Sequence, residues 1–178
     1  MRDSERNSRP WLLLVALLTA WKFYDPMLMD PPAFLSTDPE TVSATFARCN
    51  GQRATHCVID GDTFHIGARR IRLIGIDAPE THPARCPAEA QAGEAATAAL
   101  QRLLSAGAFT MTARIDNPTD GYGRELRSLS RKAADGSTQS IAAQMVAGGF
   151  ARRYAGGLRR SWCDPAPGAA ALPPRETP

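Results

Sequence analysis

Asp62, Asp77 and Glu80, with Arg72 among them, are residue types that could bind a cation or an anion from one short stretch of this chain. Asp62 and Asp77 bracket a segment that reads as two strands, Thr63 to Ile66 and Ile71 to Ile76, joined by the turn Gly67-Ala68-Arg69-Arg70. A hairpin centred near Ala68-Arg69 sets Asp62 opposite about Gly75, so the two acids meet at its open end. Paired carboxylates repel unless a cation lies between them, and hard oxygen ligands favour Ca²⁺ or Mg²⁺. Asp60 and Asp62 would serve equally as turn residues around Gly61, and Asp77 as a strand end. Spacing alone leaves both readings open.

Arg72 interrupts the apolar run Ile71-Arg72-Leu73-Ile74, so it needs an anionic partner or a solvent groove. A structural ion pair or a guanidinium fork aimed at phosphate would satisfy it. Strict alternation puts Arg72 and Asp77 on opposite faces, and a shared site then requires a bulge, a strong twist or an early strand end. Glu80 follows Pro79 in a loop, where a carboxylate could activate water or be ordinary surface charge. Arg124 follows Tyr122-Gly123 in a second glycine-rich loop and by itself says as little.

The elements that must hold these residues follow from pattern. Cys57-Val58-Ile59 ends one apolar segment before the Asp60-Gly61 turn, and Ala78-Pro79 stops the strand that carries Asp77. Pro87 suits the first turn of a helix and Gly107 the position past its end, with Ala92, Ala96, Ala99, Leu100, Leu103 and Leu104 as its apolar stripe. Phe109 to Ile115 and Glu125 to Arg131 read as strands, and Ser140 to Gly148 as a short helix. Five short strands with an interposed helix suit an α+β, mainly β architecture, a five-stranded OB-type barrel with two to three helices.

The chain has 178 residues, room for one domain with tails. A net charge of +3 neither requires nor excludes a nucleic-acid partner. Residues 1–21 pair a polar start with the run WLLLVALLTAW, too short for a span of about 20 residues, and read as a signal peptide or membrane anchor. Weak apolar character continues to Met29, so anchoring would use residues 11–29. Residues 22–44 read as a linker, 45–163 as the domain, and 164–178 as a Pro/Ala-rich disordered tail. The four cysteines, Cys49, Cys57, Cys86 and Cys163, suit two disulfides in an exported protein. Of three possible pairings, Cys49–Cys57 as a local clip and Cys86–Cys163 as a tie for the C-terminal segment are the expected ones. A zinc site using His56 or His82 is the competing reading, weakened by the lack of any C-x2-C pair.

The segment CVIDGDTFHIGARRIRLIGIDAPET resembles the signature of the staphylococcal nuclease family. Asp60-Gly61-Asp62-Thr63, Arg72 and Asp77-Ala78-Pro79-Glu80 match its ordered motifs, Gly121-Tyr122-Gly123-Arg124 its later tyrosine-glycine-arginine, and Gly149-Phe150-Ala151 its glycine-hydrophobic-alanine. The likeness runs over roughly residues 54–155. It implies a calcium-dependent endonuclease that hydrolyses DNA and RNA to 3′-phosphate ends. Asp62 and Asp77 would hold Ca²⁺ by their side chains and Ala78 by its carbonyl. Arg72 and Arg124 would grip the scissile phosphate, Glu80 would act as general base, and Tyr122 and Tyr154 would contact substrate. A monomer is expected, periplasmic, secreted or held at the outer face of the inner membrane. A catalytically inactive barrel that binds nucleic acid or protein is the alternative.

The chain also departs from the family's pattern. Cys86 has no counterpart in the type enzyme, Gly121 replaces a basic residue, and Gly156-Gly157 argue against a long third helix. Arg152, Arg153, Arg159 and Arg160 form a basic cluster that reads as a nucleic-acid track or as a solvated edge.

Overall fold

Asp60-Gly61-Asp62 turns the chain tightly between two strands rich in β-branched and aromatic residues. In the computed structural model, which describes residues 32–49 and 55–164, these strands are β3 (His56–Asp60) and β4 (Thr63–Ile66), paired antiparallel. Before them lie β1 (Glu40–Val42) and β2 (Ala47–Arg48), and after them β5 (Arg69–Leu73) and β6 (Ile76–Asp77). Helix α1 (Pro87–Ser105) precedes β7 (Phe109–Thr112), β8 (Glu125–Lys132) and β9 (Thr138–Ser140). Helix α2 (Ile141–Ala147) and β10 (Arg152–Arg153) end the series.

The main sheet runs β1-β7-β8-β5-β4-β3-β2, with β9 added on β8. Its two outermost strands, β1 and β2, are neighbours in sequence, so the link 43–46 spans the sheet's seam. The sheet is thereby curled into a half-barrel with α1 and α2 packed on it, the OB-type α+β architecture expected from the strand pattern. Phe46 fills the seam. Its ring is 1% exposed and meets Phe64 at 5.7 Å and Phe109 at 6.1 Å between centroids. Its backbone N–H donates to Ser105 Oγ (3.0 Å) and its carbonyl accepts from Gln101 Nε2 (3.0 Å), which ties the seam to the C-terminal half of α1.

Helix α1 begins and ends where sequence places it. Pro87 occupies its first turn behind the N-cap Cys86, and Ala106 caps it before Gly107 leaves at φ 136°. Ala96, Ala99, Leu100 and Leu104 are buried, as the stripe requires, and Thr97 is buried beside them by bonding back to the Gly93 carbonyl at 2.7 Å. Two disulfides, Cys49–Cys57 and Cys86–Cys163, cross-link the fold, the second tying the N-cap of α1 to the C-terminal segment.

Three boundaries differ from the sequence reading. The expected linker 22–44 contains β1, which pairs with β7 and buries Val42; three residues are too few to display a strand period. The strand expected through Ile115 stops at Thr112, and Ile115 is 62% exposed. The strand expected from Ile71 to Ile76 breaks after Leu73, because Gly75 takes φ 80° and the chain re-enters as β6 against β10. The apolar segment 11–21 and its continuation to Met29 lie outside the described residues, as does the tail from 165 onward. Among the described residues no helix is long and apolar enough to cross a membrane.

If Phe46 closes the seam, Phe46→Ala lowers stability by about 3–5 kcal/mol, read from urea unfolding curves. A loss below about 1 kcal/mol would show that the seam holds without it.

Candidate active site

The two-residue turn Gly67-Ala68, with Gly67 at φ 60°, sets the register of the β4–β5 hairpin. Thr63 pairs with Arg72, and the Leu73 N–H donates to the Asp62 carbonyl at 2.8 Å. Asp62 therefore lies opposite Leu73 rather than Gly75, because the hairpin turns one residue earlier than its sequence suggested. That register brings the side chain of Arg72 to Asp62. Arg72 Nη1 donates to Asp62 Oδ1, and Nη2 to the Ile76 carbonyl at 3.3 Å. Thr63 Oγ1 adds a bond to Asp62 Oδ1 (2.8 Å), and the Ala78 N–H points at Oδ2 (3.3 Å). Asp62 is 2% exposed and Arg72 6%, so this ion pair is buried and depends on these extra bonds.

The break at Gly75 resolves the parity problem. Because β5 ends at Leu73, Asp77 is freed from the alternation of that strand, and the chain turns so that Ala78 reaches Asp62. Asp77 is buried, and both its oxygens are engaged. Trp162 Nε1–H donates to Oδ2 (3.1 Å), and Arg159 Nε approaches Oδ1 (3.3 Å). The same guanidinium reaches Glu80, with Arg159 Nη1 3.3 Å from Oε1. Asp60 completes the cluster from the other side of the turn, its Oδ1 accepting the Asp62 N–H at 3.0 Å.

Acid crowding shows in the protonation behaviour. Burial, then the charge of Asp62, pushes the Asp60 carboxyl up to about 7. Burial, then Asp62, also raises Glu80, with Arg159 and Arg72 pulling the other way. The backbone beneath is packed without slack. A Cβ at Gly93 would stand 2.6 Å from the Glu80 carbonyl oxygen, and one at Gly61 2.7 Å from the Ala78 Cβ. Gly93 thus lets α1 press directly on the Pro79-Glu80 backbone. Glu89, fully buried in the first turn of α1, accepts the Arg85 N–H (2.7 Å) and its guanidinium (3.1 and 3.2 Å), fixing the loop between Glu80 and Cys86.

The expected site residues fall into separate groups. Asp62, Arg72, Asp77 and Ala78 are joined by direct bonds, or through Ile76 and Ala78 backbone, and Glu80 joins them through Arg159. Arg124 and Tyr122 belong to another loop, organised by Asp120. Arg124 Nε donates to Asp120 Oδ2 (2.7 Å), and the N–H groups of Tyr122 and Arg124 share Oδ1 (2.9 and 3.0 Å). The Tyr122 ring is 84% exposed, with the Arg124 guanidinium 5.5 Å from its centre. Tyr154 donates its backbone N–H to the Gly75 carbonyl (2.9 Å). It lines a groove of about 350 Å³ together with Arg72, Gly75, Ile76, Arg114 and Asp116.

A sequence model of the family described as staphylococcal nuclease homologue matches residues 70–162, more than half of the chain. The chain belongs to the staphylococcal nuclease homologue family. No curated protein matches it. The match holds Arg72, Asp77, Glu80 and Arg124, whereas Asp62 lies ahead of it and is joined to it by the Arg72 bond.

The donors that this nuclease homologue could offer a cation are all oxygens: the carboxylates of Asp62 and Asp77 and the Ala78 carbonyl. Among the described residues no three His, Cys, Asp or Glu side chains gather as a ready metal cage, so water would complete any coordination shell. The oxygen-only set, and the raised carboxyls of Asp60 and Glu80, fit a hard divalent cation. Sequence reasoning missed Glu89 and Gly93, and it neither set Arg159, named only within the basic cluster, against the acids nor singled out Trp162. For the last two the Cys86–Cys163 pairing was the usable signal, since it draws the segment before Cys163 toward the loop after Glu80. The basic cluster 152–160 is neither a uniform track nor a plain edge. Arg152 stacks on Trp162 at 3.5 Å, and Arg159 turns to the acids.

Asp60 has a folded value above its unfolded one near 4, so its favourable contribution is complete below about pH 4 and is lost as pH rises through about 7. In chelator, Asp60→Asn keeps the acceptor for Asp62 N–H and flattens the fall in stability across that window, by on the order of a few kcal/mol in denaturant titrations. Identical pH profiles for variant and parent would refute the assignment. Gly93→Ala gains about 1 kcal/mol of helix propensity but drives a methyl into Glu80 backbone; the net change is a loss of roughly 1–3 kcal/mol, seen as a lower urea midpoint.

Proposed function

We propose that this chain is an exported, calcium-dependent endonuclease that hydrolyses the phosphodiester bonds of DNA or RNA and leaves 3′-phosphate ends. The observation that carries the reading is the buried Asp62–Arg72 pair set against Asp77 and Glu80, in a member of the staphylococcal nuclease homologue family. Asp62, Asp77 and the Ala78 carbonyl would hold Ca²⁺, and bound Ca²⁺ would supply Lewis-acid stabilisation of charge on the phosphate oxygens.

The chain's own residues do the rest. Arg72 lines the groove that runs to Tyr154, and a guanidinium has more donors than Asp62 and Ile76 consume. Those donors meet a phosphate whose nonbridging oxygens gain charge during attack. Arg124 grips the same phosphate on leaving Asp120, and Tyr122 and Tyr154 contact the substrate on either side. Glu80 takes a proton from the attacking water. Its raised affinity for protons, caused by burial and Asp62, makes its ionised form a stronger base. The two disulfides fit an oxidising compartment, and residues 1–21 serve as the export signal or anchor of a domain that begins ahead of residue 45, with β1.

The test is cleavage of single-stranded DNA and RNA by the full-length protein, in Ca²⁺ and in chelator, with end analysis of the products. Cutting is expected only with Ca²⁺, and Glu80→Gln lowers the turnover rate by about 10²- to 10⁴-fold. A folded, Ca²⁺-bound parent that cuts neither polymer would overturn the enzyme reading in favour of a binding barrel.

A further inference from the structure

The segment after β10 leaves the barrel at Gly156-Gly157 and comes back across the acidic cluster. Cys163 anchors its end to Cys86, and Arg152 N–H donates from the guanidinium to the Ser161 carbonyl at 2.9 Å. Trp162 lies sandwiched in function between two charges: its ring is stacked on Arg152 at 3.5 Å, and its Nε1–H holds Asp77 Oδ2. Three residues earlier, Arg159 rests its ring-facing guanidinium 5.5 Å from the centre of Tyr154 and bridges Asp77 Oδ1 and Glu80 Oε1, both at 3.3 Å. This is where positive charge is needed, because Asp60, Asp62, Asp77 and Glu80 crowd together there.

The two holds on Asp77 are unequal. Trp162 is pinned by its disulfide neighbour and by the Arg152 stack, and its bond is the shorter at 3.1 Å. Arg159 makes two longer contacts from a side chain that is 34% exposed, so water can take its place at little cost. A cation held by Asp77 Oδ1 would compete with Arg159 for that oxygen, whereas Trp162, bonded to Oδ2, could stay.

We propose that Arg159 is a built-in competitor for the divalent cation, which neutralises Asp77 and Glu80 and would give up Asp77 Oδ1 to a bound metal. The inference rests on the reading of Asp77 as a cation ligand. Arg159 thereby sets the cation affinity of the site. It keeps the acids from repelling one another before the metal arrives, and it raises the metal concentration needed to load them. The Cys86–Cys163 bond keeps this side chain close by without fixing it in place.

The measurement is calorimetric titration of the full-length protein with Ca²⁺, without substrate, for the parent, Arg159→Gln and Arg160→Gln. Arg160 is exposed and its loss changes net charge equally, so it controls for the general field. Arg159→Gln is expected to bind Ca²⁺ roughly three- to tenfold more tightly than the parent, with Arg160→Gln within about twofold of it. Binding by Arg159→Gln where the parent shows none would support the proposal in its strongest form. Unchanged or weaker binding by Arg159→Gln, with a parent that binds, would overturn the proposal and leave the nuclease reading standing. An equal gain in both variants would reduce it to net charge and overturn it too. No binding by any of the three would overturn both readings together.

Discussion

Placing Asp62 against Arg72 inside the barrel wall removes two charges from water. Such a pair survives only if geometry and extra bonds restore what solvation supplied, and removing one partner of a pair this buried costs about 3–5 kcal/mol. Much of the local structure reads as the means to that end. The Gly67 turn sets the register that makes Arg72 the neighbour of Asp62. Thr63 and Ala78 supply further donors to the carboxylate, and the Ile76 carbonyl takes up the far side of the guanidinium. A change in any of these leaves a buried charge short of a partner.

Around that pair the protein tolerates an unusual density of negative charge. Asp60 and Glu80 feel the charge of Asp62, Glu80 also that of Asp77, and balancing groups come from distant parts of the chain. Arg159 and Trp162 arrive from the C-terminal segment, held by a disulfide whose cysteines are 77 residues apart. Cross-linking over such a separation restricts the unfolded chain strongly, so the bond both stabilises the domain and holds the segment at the acids. Folding and electrostatics meet at Glu89, which fixes the loop leading to Cys86 through Arg85.

The remaining architecture keeps the wall rigid from behind. Phe46 fills the seam between β1 and β2 and is in turn fastened to Ser105 and Gln101 of α1. The other half of the same helix presents Gly93 and Ala96 to the backbone of Glu80 and Gly61. One helix therefore braces the seam at one end and the acidic cluster at the other. The glycine that weakens its intrinsic stability is the residue that allows the close approach.

Much of this was legible in the sequence because it is local. The Asp60-Gly61 turn, the β4 strand, the limits of α1 and the short helix before Gly148-Gly149 each follow from residues near one another in the chain, as does the need of Arg72 for an anion. The family motif supplied the rest of the residue list. What sequence could not settle were relations across distance. A one-residue change in where a hairpin turns moves Asp62 from Gly75 to Leu73, and periodicity does not record it. An edge strand of three residues, β1, is too short to carry a pattern and is defined only by its partner β7. The need of Arg72 for an anion followed from its type, whereas Asp62 read equally well as a turn residue until the family motif was matched. That Arg159 and Trp162 share Asp77 was decided by tertiary structure, because charge and hydrogen-bond complementarity between segments far apart in sequence exist only once the chain has folded.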